Sequence, residues 1–160
     1  MLTQERLKEL LHYDPETGFF TRIKSTCNVN KIGARCGSAH HSGYVEIMVD
    51  SKNHRAHRIA WLYMTGEFPK HDIDHRNGMK NDNRFCNLRD VSTLINSQNE
   101  IKARKHNSSK LLGVNRHGKK FQSAIVINGK RMHLGSFNTA EEAHVAYIEA
   151  KRVHHLGCTI

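Results

Sequence analysis

Apolar residues recur along this chain with two periods, and each change of period marks a new element. Leu7, Leu10 and Leu11 share one helical face, so residues 3–12 read as a short helix with Thr3 as its N-cap. Asp14-Pro15 and Gly18 then mark turns. Gly18–Arg22 and Gly43–Asp50 read as strands, the second through Tyr44, Val45, Ile47 and Val49. Residues 56–65 read as a helix packing Ile59, Trp61 and Leu62, ended by Gly66 and Pro69. HDIDH (71–75) and CNLRDVS (86–92) are strand candidates around an Asn-, Asp- and Gly-rich loop, and a helix follows from about Ser92 or Thr93. Residues 100–110 carry almost nothing apolar and read as a basic linker. After it, LLGVNRH, KFQSAIVI and KRMHLGSF read as three strands turned by Gly118 and Asn128-Gly129. Thr139 and Glu142 form a capping box. Behind it Ala143, Ala146, Tyr147, Ala150 and Val153 make a helical stripe, with Gly157 as the expected stop.

The pattern therefore predicts an α+β chain of small modules. Residues 1–99 form a scaffold with a strand–loop–strand–helix unit, 100–110 a linker, and 111–160 a three-stranded antiparallel sheet packed on one helix. A hydrophobic share of 38% over 160 residues agrees with modules in series rather than one large core. Within the third strand group, Phe121, Ser123 and Ile125 should face the helix, and Gln122, Ala124 and Val126 should face outward.

Charge narrows the partner. Lys and Arg number 25 against 15 Asp and Glu, a formal +10, which calls for a polyanion. No apolar run approaches a membrane span, and the N-terminus lacks a signal-peptide core, so a cytoplasmic protein without a membrane partner is expected. Cys27, Cys36, Cys86 and Cys158 form no Cys-x-x-Cys pair; they read as free thiols and argue against structural zinc.

The densest chemistry lies in residues 71–99. Asp74 and His75 are adjacent, Asn87 follows twelve residues after the histidine, and Asn96 nine after that. A carboxylate, an imidazole and spaced carboxamides can hold one divalent cation and activate one water, which is what phosphodiester cleavage requires. Asn81 and Asn83 read as loop braces, His71 as exposed, and only His75 among thirteen histidines has a neighbourhood that argues chemistry. Nothing in the N-terminal third reads as more than scaffold.

The segment IDHRNG…NDNR…NLRDVS…N, preceded by AHRIAW and TGEFP, resembles the phage-type HNH endonucleases over roughly residues 43–99. The resemblance implies a ββα-metal unit. His75 would be the general base, Asn87 would orient it and brace the loop, and Asn96 would fill the third position, giving H-N-N. Asp74 and Asn96 would hold one ion; an amide oxygen in place of an imidazole tilts that ion to Mg2+ or Mn2+. The C-terminal module resembles the AP-two/ERF DNA-binding domain through GV at 113–114, KFQSAI, HLGSF and TAEEAHVAYIEA. In that family the sheet enters the major groove, which makes Asn115, His117, Lys119, Lys120, Gln122, Lys130, Arg131 and His133 the expected DNA contacts. The combination implies a homing-type, phage-encoded enzyme on double-stranded DNA. A monomer without an obligate protein partner is expected, since no dimerisation stripe is visible. The rival is a non-catalytic DNA-binding regulator with an inactive HNH unit. RNA as substrate has no signature in its favour.

Overall fold

The computed structural model describes residues 1–24, 31–101, 103 and 105–159. Cys27, and Lys102 and Arg104 of the expected linker, lie outside the described residues. The chain divides into two compact units, Met1–Thr93 and Leu94–Ile160.

In the first unit, α1 (Gln4–Leu10) starts at Thr3, whose side chain accepts from the Arg6 amide, and buries Leu7 and Leu10. The helix ends two residues before the expected limit of 12. Leu11 is already extended and opens β1 (Leu11–Asp14), because the chain must turn there to pair with β2 (Phe19–Arg22). β3 (Arg35–Cys36) adds to β2. A second sheet runs β4 (Ser38–Ala39), β5 (Val45–Val49) and β6 (Lys52–Arg55), the last two joined through Asp50 and Ser51 at φ 46° and 63°. α2 (Ala56–Thr65) spans the expected residues and stops at Gly66 in the left-handed region, φ 88°. It buries Ala56, His57, Ile59, Ala60 and Leu62. With Tyr13, Phe20, Ile47 and Val49 these form one apolar cluster that reaches Ile73 and Leu88. Those two residues anchor β7 (Asp72–His75) and β8 (Leu88–Val91), an antiparallel pair with His75 opposite Leu88 and Asp74 opposite Arg89. A single 3-10 turn, Phe85–Asn87, feeds β8, and α3 (Thr93–Gln98) follows it.

The second unit begins inside α3. β9 (Val114–His117), β10 (Lys120–Ile127) and β11 (Lys130–Phe137) form an antiparallel sheet in the order β11-β10-β9, and α4 (Ala140–His154) packs on it. The Thr139–Glu142 capping box is present at both of its hydrogen bonds. Ser123 and Ile125 are buried, Phe121 is half-buried and Val126 is exposed, as alternation predicts. Two expectations fail on α4. Val153 is 76% exposed, and Lys151 is the buried residue of that last turn, its ammonium donating to the Glu100 carbonyl. Gly157 is not the helix stop, since the cap is the extended residue His155. Its lack of a side chain serves close packing instead: a Cβ there would collide with the Ile95 carbonyl. The Gly157 amide also donates to Gln98 Oε1 at 3.1 Å, and the Thr159 hydroxyl donates to Asn99 Oδ1. Residues 94–100 are thus tied to the C-terminal tail.

Candidate active site

β7 delivers two buried polar residues side by side, Asp74 and His75, at 6% and 4% exposure. An apolar cluster beneath them explains how polar groups come to be buried here: Ile73 and Leu88 pin the hairpin to the core and carry their neighbours inward. Asp74 has a counter-charge across the ladder. Arg89 directs both Nε and Nη2 at Asp74 Oδ2, at 2.8 and 2.7 Å.

The His75 ring stands against a carboxamide, with Nε2 3.4 Å from Asn83 Oδ1. Asn83 Nδ2 donates to the Asn81 carbonyl, which orients its oxygen toward the histidine. Nε2 therefore carries the ring hydrogen, and Nδ1 is the basic nitrogen. Burial pushes the His75 pKa down from its ordinary value, opposed by Asn83 and Asp74. The ring is neutral at neutral pH, as a general base must be.

Asn87 lies buried in the 3-10 turn and ties the loop together. Its Oδ1 accepts from the Asn77 amide at 3.0 Å, and its Nδ2 donates to Asn77 Oδ1 and to the Asp82 carbonyl. Asn77 in turn donates to Asp82 Oδ2, and Arg84 pairs with the same carboxylate. Arg84, first of these, holds the Asp82 carboxyl down to about 2. The carboxamide at the imidazole is thus Asn83, which the sequence offered only as a loop brace, while the loop is braced by Asn87. The hairpin brings Asp74, His75 and Asn87 together; Asn96 lies half-buried on α3 in the other unit. His71 is exposed, as expected, and faces Asp90.

The N-terminal third is more than passive scaffold. The Tyr13 hydroxyl donates to the Asn83 carbonyl at 2.6 Å, and the Phe85 amide donates to the Pro15 carbonyl. Gly18 sits so close to the Asn83–Arg84 backbone that any Cβ would collide with it. Tyr44 stacks 5.0 Å from His57 and 5.9 Å from His75, and Lys80 lies over the Tyr44 ring. His57, missed in the sequence, meets His75 edge-to-face at 5.1 Å. A signal was there: Ala56, Ile59 and Ala60 define the inner face of α2, and position 57 lies within that arc.

Among the described residues no three His, Cys, Asp or Glu side chains converge as a metal cage. One buried carboxylate together with carboxamide oxygens fits a hard cation, since Mg2+ keeps several waters and takes only one or two carboxylates from protein.

Residues 54–98 match the family model for HNH endonuclease. The HNH match covers α2, both hairpin strands and α3, and so includes His57, Asp74, His75, Asn83, Asn87 and Asn96. It leaves residues 1–53 and the sheet module unmatched. A search of curated proteins and a search of solved structures gave no significant match. Nuclease activity on DNA is what the HNH match implies. No helix among the described residues is long and apolar enough to cross a membrane.

In the second unit, register places Asn115, His117, Lys120, Gln122, Arg131 and His133 on one face of the sheet, through the pairs Lys120–His117, Gln122–Asn115, Val126–Arg131 and Ala124–His133. All of them are exposed except half-buried Gln122. Lys119 is exposed in the turn, and Lys130, opposite Ile127, falls on the other side of the ribbon at its tip.

Proposed function

We propose that this protein is a metal-dependent HNH DNA endonuclease whose cutting unit is steered by the C-terminal sheet. The observation that carries the reading is His75: buried, neutral, and matched within an HNH segment, with its Nε2 committed to Asn83. His75 Nδ1 takes the proton of the attacking water. The imidazolium that results is supported by Asn83 Oδ1 and by the nearby Asp74 carboxylate, the groups that already oppose the fall in its pKa. Asp74 and Asn96 would hold one divalent ion, Mg2+ or Mn2+; Asn96 is assigned from the resemblance. That ion would supply charge neutralisation at the phosphate oxygens and the leaving 3′ oxygen. Asn87 keeps the loop between the strands in shape.

The AP-two/ERF-like sheet reads the site. A face of Asn, Gln, His and Arg has the donors and acceptors for base edges, and Lys119, Lys120 and Lys130 supply phosphate contacts. A homing-type phage enzyme is the setting this pairing of modules suggests. The test is a supercoiled plasmid incubated with the protein, with Mg2+ or with EDTA, beside His75→Ala. Cutting that needs both the ion and His75 supports the reading. Binding without cutting by the wild-type protein assigns the chain to the non-catalytic regulators.

A further inference from the structure

The core of the first unit holds a histidine that an apolar side chain would serve better. His57 lies in the first turn of α2, 7% exposed, and no protein group hydrogen-bonds to its buried Nδ1. An unsatisfied buried nitrogen costs on the order of 1–3 kcal/mol, and truly orphaned ones are uncommon. Burial also forces the ring to stay neutral, its pKa pushed down to about 3 chiefly by desolvation and next by His75. Its neighbours Ala56, Ile59 and Ala60 are apolar and equally buried, so packing alone does not call for an imidazole there.

What singles the position out is its neighbour. The His57 ring meets the His75 ring at an interplanar angle of 85° and 5.1 Å between centroids, and Tyr44 closes the other side of both. Rings that meet edge-to-face lock each other's tilt. Asn83 fixes one nitrogen of His75, but a single contact of 3.4 Å leaves the ring plane free to rock about it. A wall made of His57 and Tyr44 removes that freedom.

We propose that His57 is a second histidine of the cutting centre, a positioning residue that fixes the plane and tautomer of the His75 ring through an imidazole rather than a purely apolar wall. The inference rests on the nuclease reading for its activity arm only. Another buried group without a partner, the Ser123 hydroxyl, lies in the second unit away from any catalytic residue, and provides the control for simply removing a buried polar atom.

The test uses the full chain with three variants, His57→Phe, His57→Leu and His57→Asn, beside Ser123→Ala. Asn places an amide near the position of Nδ1, whereas Phe and Leu supply bulk alone. Folding is checked by the fluorescence of Trp61, the one tryptophan, which lies on the same helix. The expectation is that Leu and Phe lower kcat about 10–100-fold, the range for residues that orient a catalytic group. KM for DNA should stay unchanged, and thermal stability should be equal or higher. Asn should recover part of kcat, and Ser123→Ala should leave kcat alone. Imidazole nitrogen NMR shifts of His75 give a readout that needs no cutting: one tautomer in wild type, a mixture in Leu. If the Phe variant does not fold, Leu against Asn decides. Wild-type kcat together with an unmoved His75 tautomer in folded Leu or Phe overturns the proposal. A wild-type protein that cuts no DNA refutes the nuclease reading, and the tautomer comparison still decides the role of His57.

Discussion

Arg89→Met should unsettle the first unit in a way that Mg2+ repairs. Arg89 places two nitrogens on Asp74 Oδ2 at 2.7 and 2.8 Å, and the two side chains are only 15% and 7% exposed. Two unit charges about 4 Å apart attract by about 4 kcal/mol at an effective dielectric near 20. Taking the arginine out of water offsets part of that gain, but removing it leaves the carboxylate inside without it, which typically costs about 3–5 kcal/mol. Methionine keeps the apolar stem, so packing loss stays small, and the low end, about 3 kcal/mol, is the expectation. Urea unfolding followed by Trp61 fluorescence reads this directly, because Trp61 belongs to the unit concerned and packs on Phe85. Asp74 is also the proposed ion ligand. With Arg89 gone, a divalent cation becomes the stronger remaining counter-charge, and millimolar Mg2+ should stabilise the variant more than the wild type. Asp74→Asn with Arg89→Met should recover much of the loss, since the charge and its partner leave together. A loss under about 1 kcal/mol, or equal Mg2+ stabilisation in both proteins, would refute the reasoning.

Three further outcomes follow from the same contacts. His75→Ala should reduce cleavage by about 10²–10⁴-fold with DNA affinity nearly intact, and wild-type rates in a nicking assay would remove its role as base. In acid, stability should fall in two steps. The unfolded chain protonates His57 near its ordinary 6.5 while the folded chain waits until about 3, so this contribution is complete above 6.5 and drains as pH drops toward 3; Asp82, ordinarily 3.8 but about 2 when folded, drains below 3.8. One proton sets a limiting slope of about 1.4 kcal/mol per pH unit, and a His57→Phe profile as steep as wild type between pH 6 and 4 would contradict the first step. Arg131→Ala should change sequence preference, by about 1–3 kcal/mol at a guanine if the pair is bidentate. Lys119→Ala should weaken all sequences alike and flatten the salt dependence, and a binding-site selection that treats the two variants identically would count against the reading face.

The parts of the fold with a strong local signal were readable in the sequence. α2 has apolar residues on one face and a glycine stop, β10 and β11 flank an Asn-Gly turn, and α4 opens on a capping box; all stand where the pattern put them. β3 and β4 are two residues each, too short to show a period. β6, Lys-Asn-His-Arg, is a sheet edge with little buried, so its sequence looks like a loop. The site was legible in its acids and bases but not in its contacts. Asp74 and His75 announce themselves by adjacency, whereas Asn83 and Asn87 sit in one polar loop and only the folded path of that loop shows which amide reaches the ring. His57 was hidden because helical periodicity registers which face is inward, not which inward residue stands beside a strand sixteen residues later. Lys151 replaced Val153 as the buried residue because a lysine stem can line an apolar surface while its tip finds a carbonyl.

The bonds that tie residues 94–100 to Lys151, Gly157 and Thr159 bear on how such a chain can be recombined. A graft that exchanges the sheet module at the polar stretch 100–110 would look natural from composition, yet it would strip α3 of the tail that holds it. The seam that respects the folded units lies earlier, at the short step between β8 and α3. A donor module joined there would bring its own version of the helix that carries position 96, so that exchanging the reader also exchanges a residue assigned to the cutter. Lineages that shuffle these parts are therefore expected to inherit Asn96 or its replacement together with the C-terminal sheet, and His75 together with the hairpin.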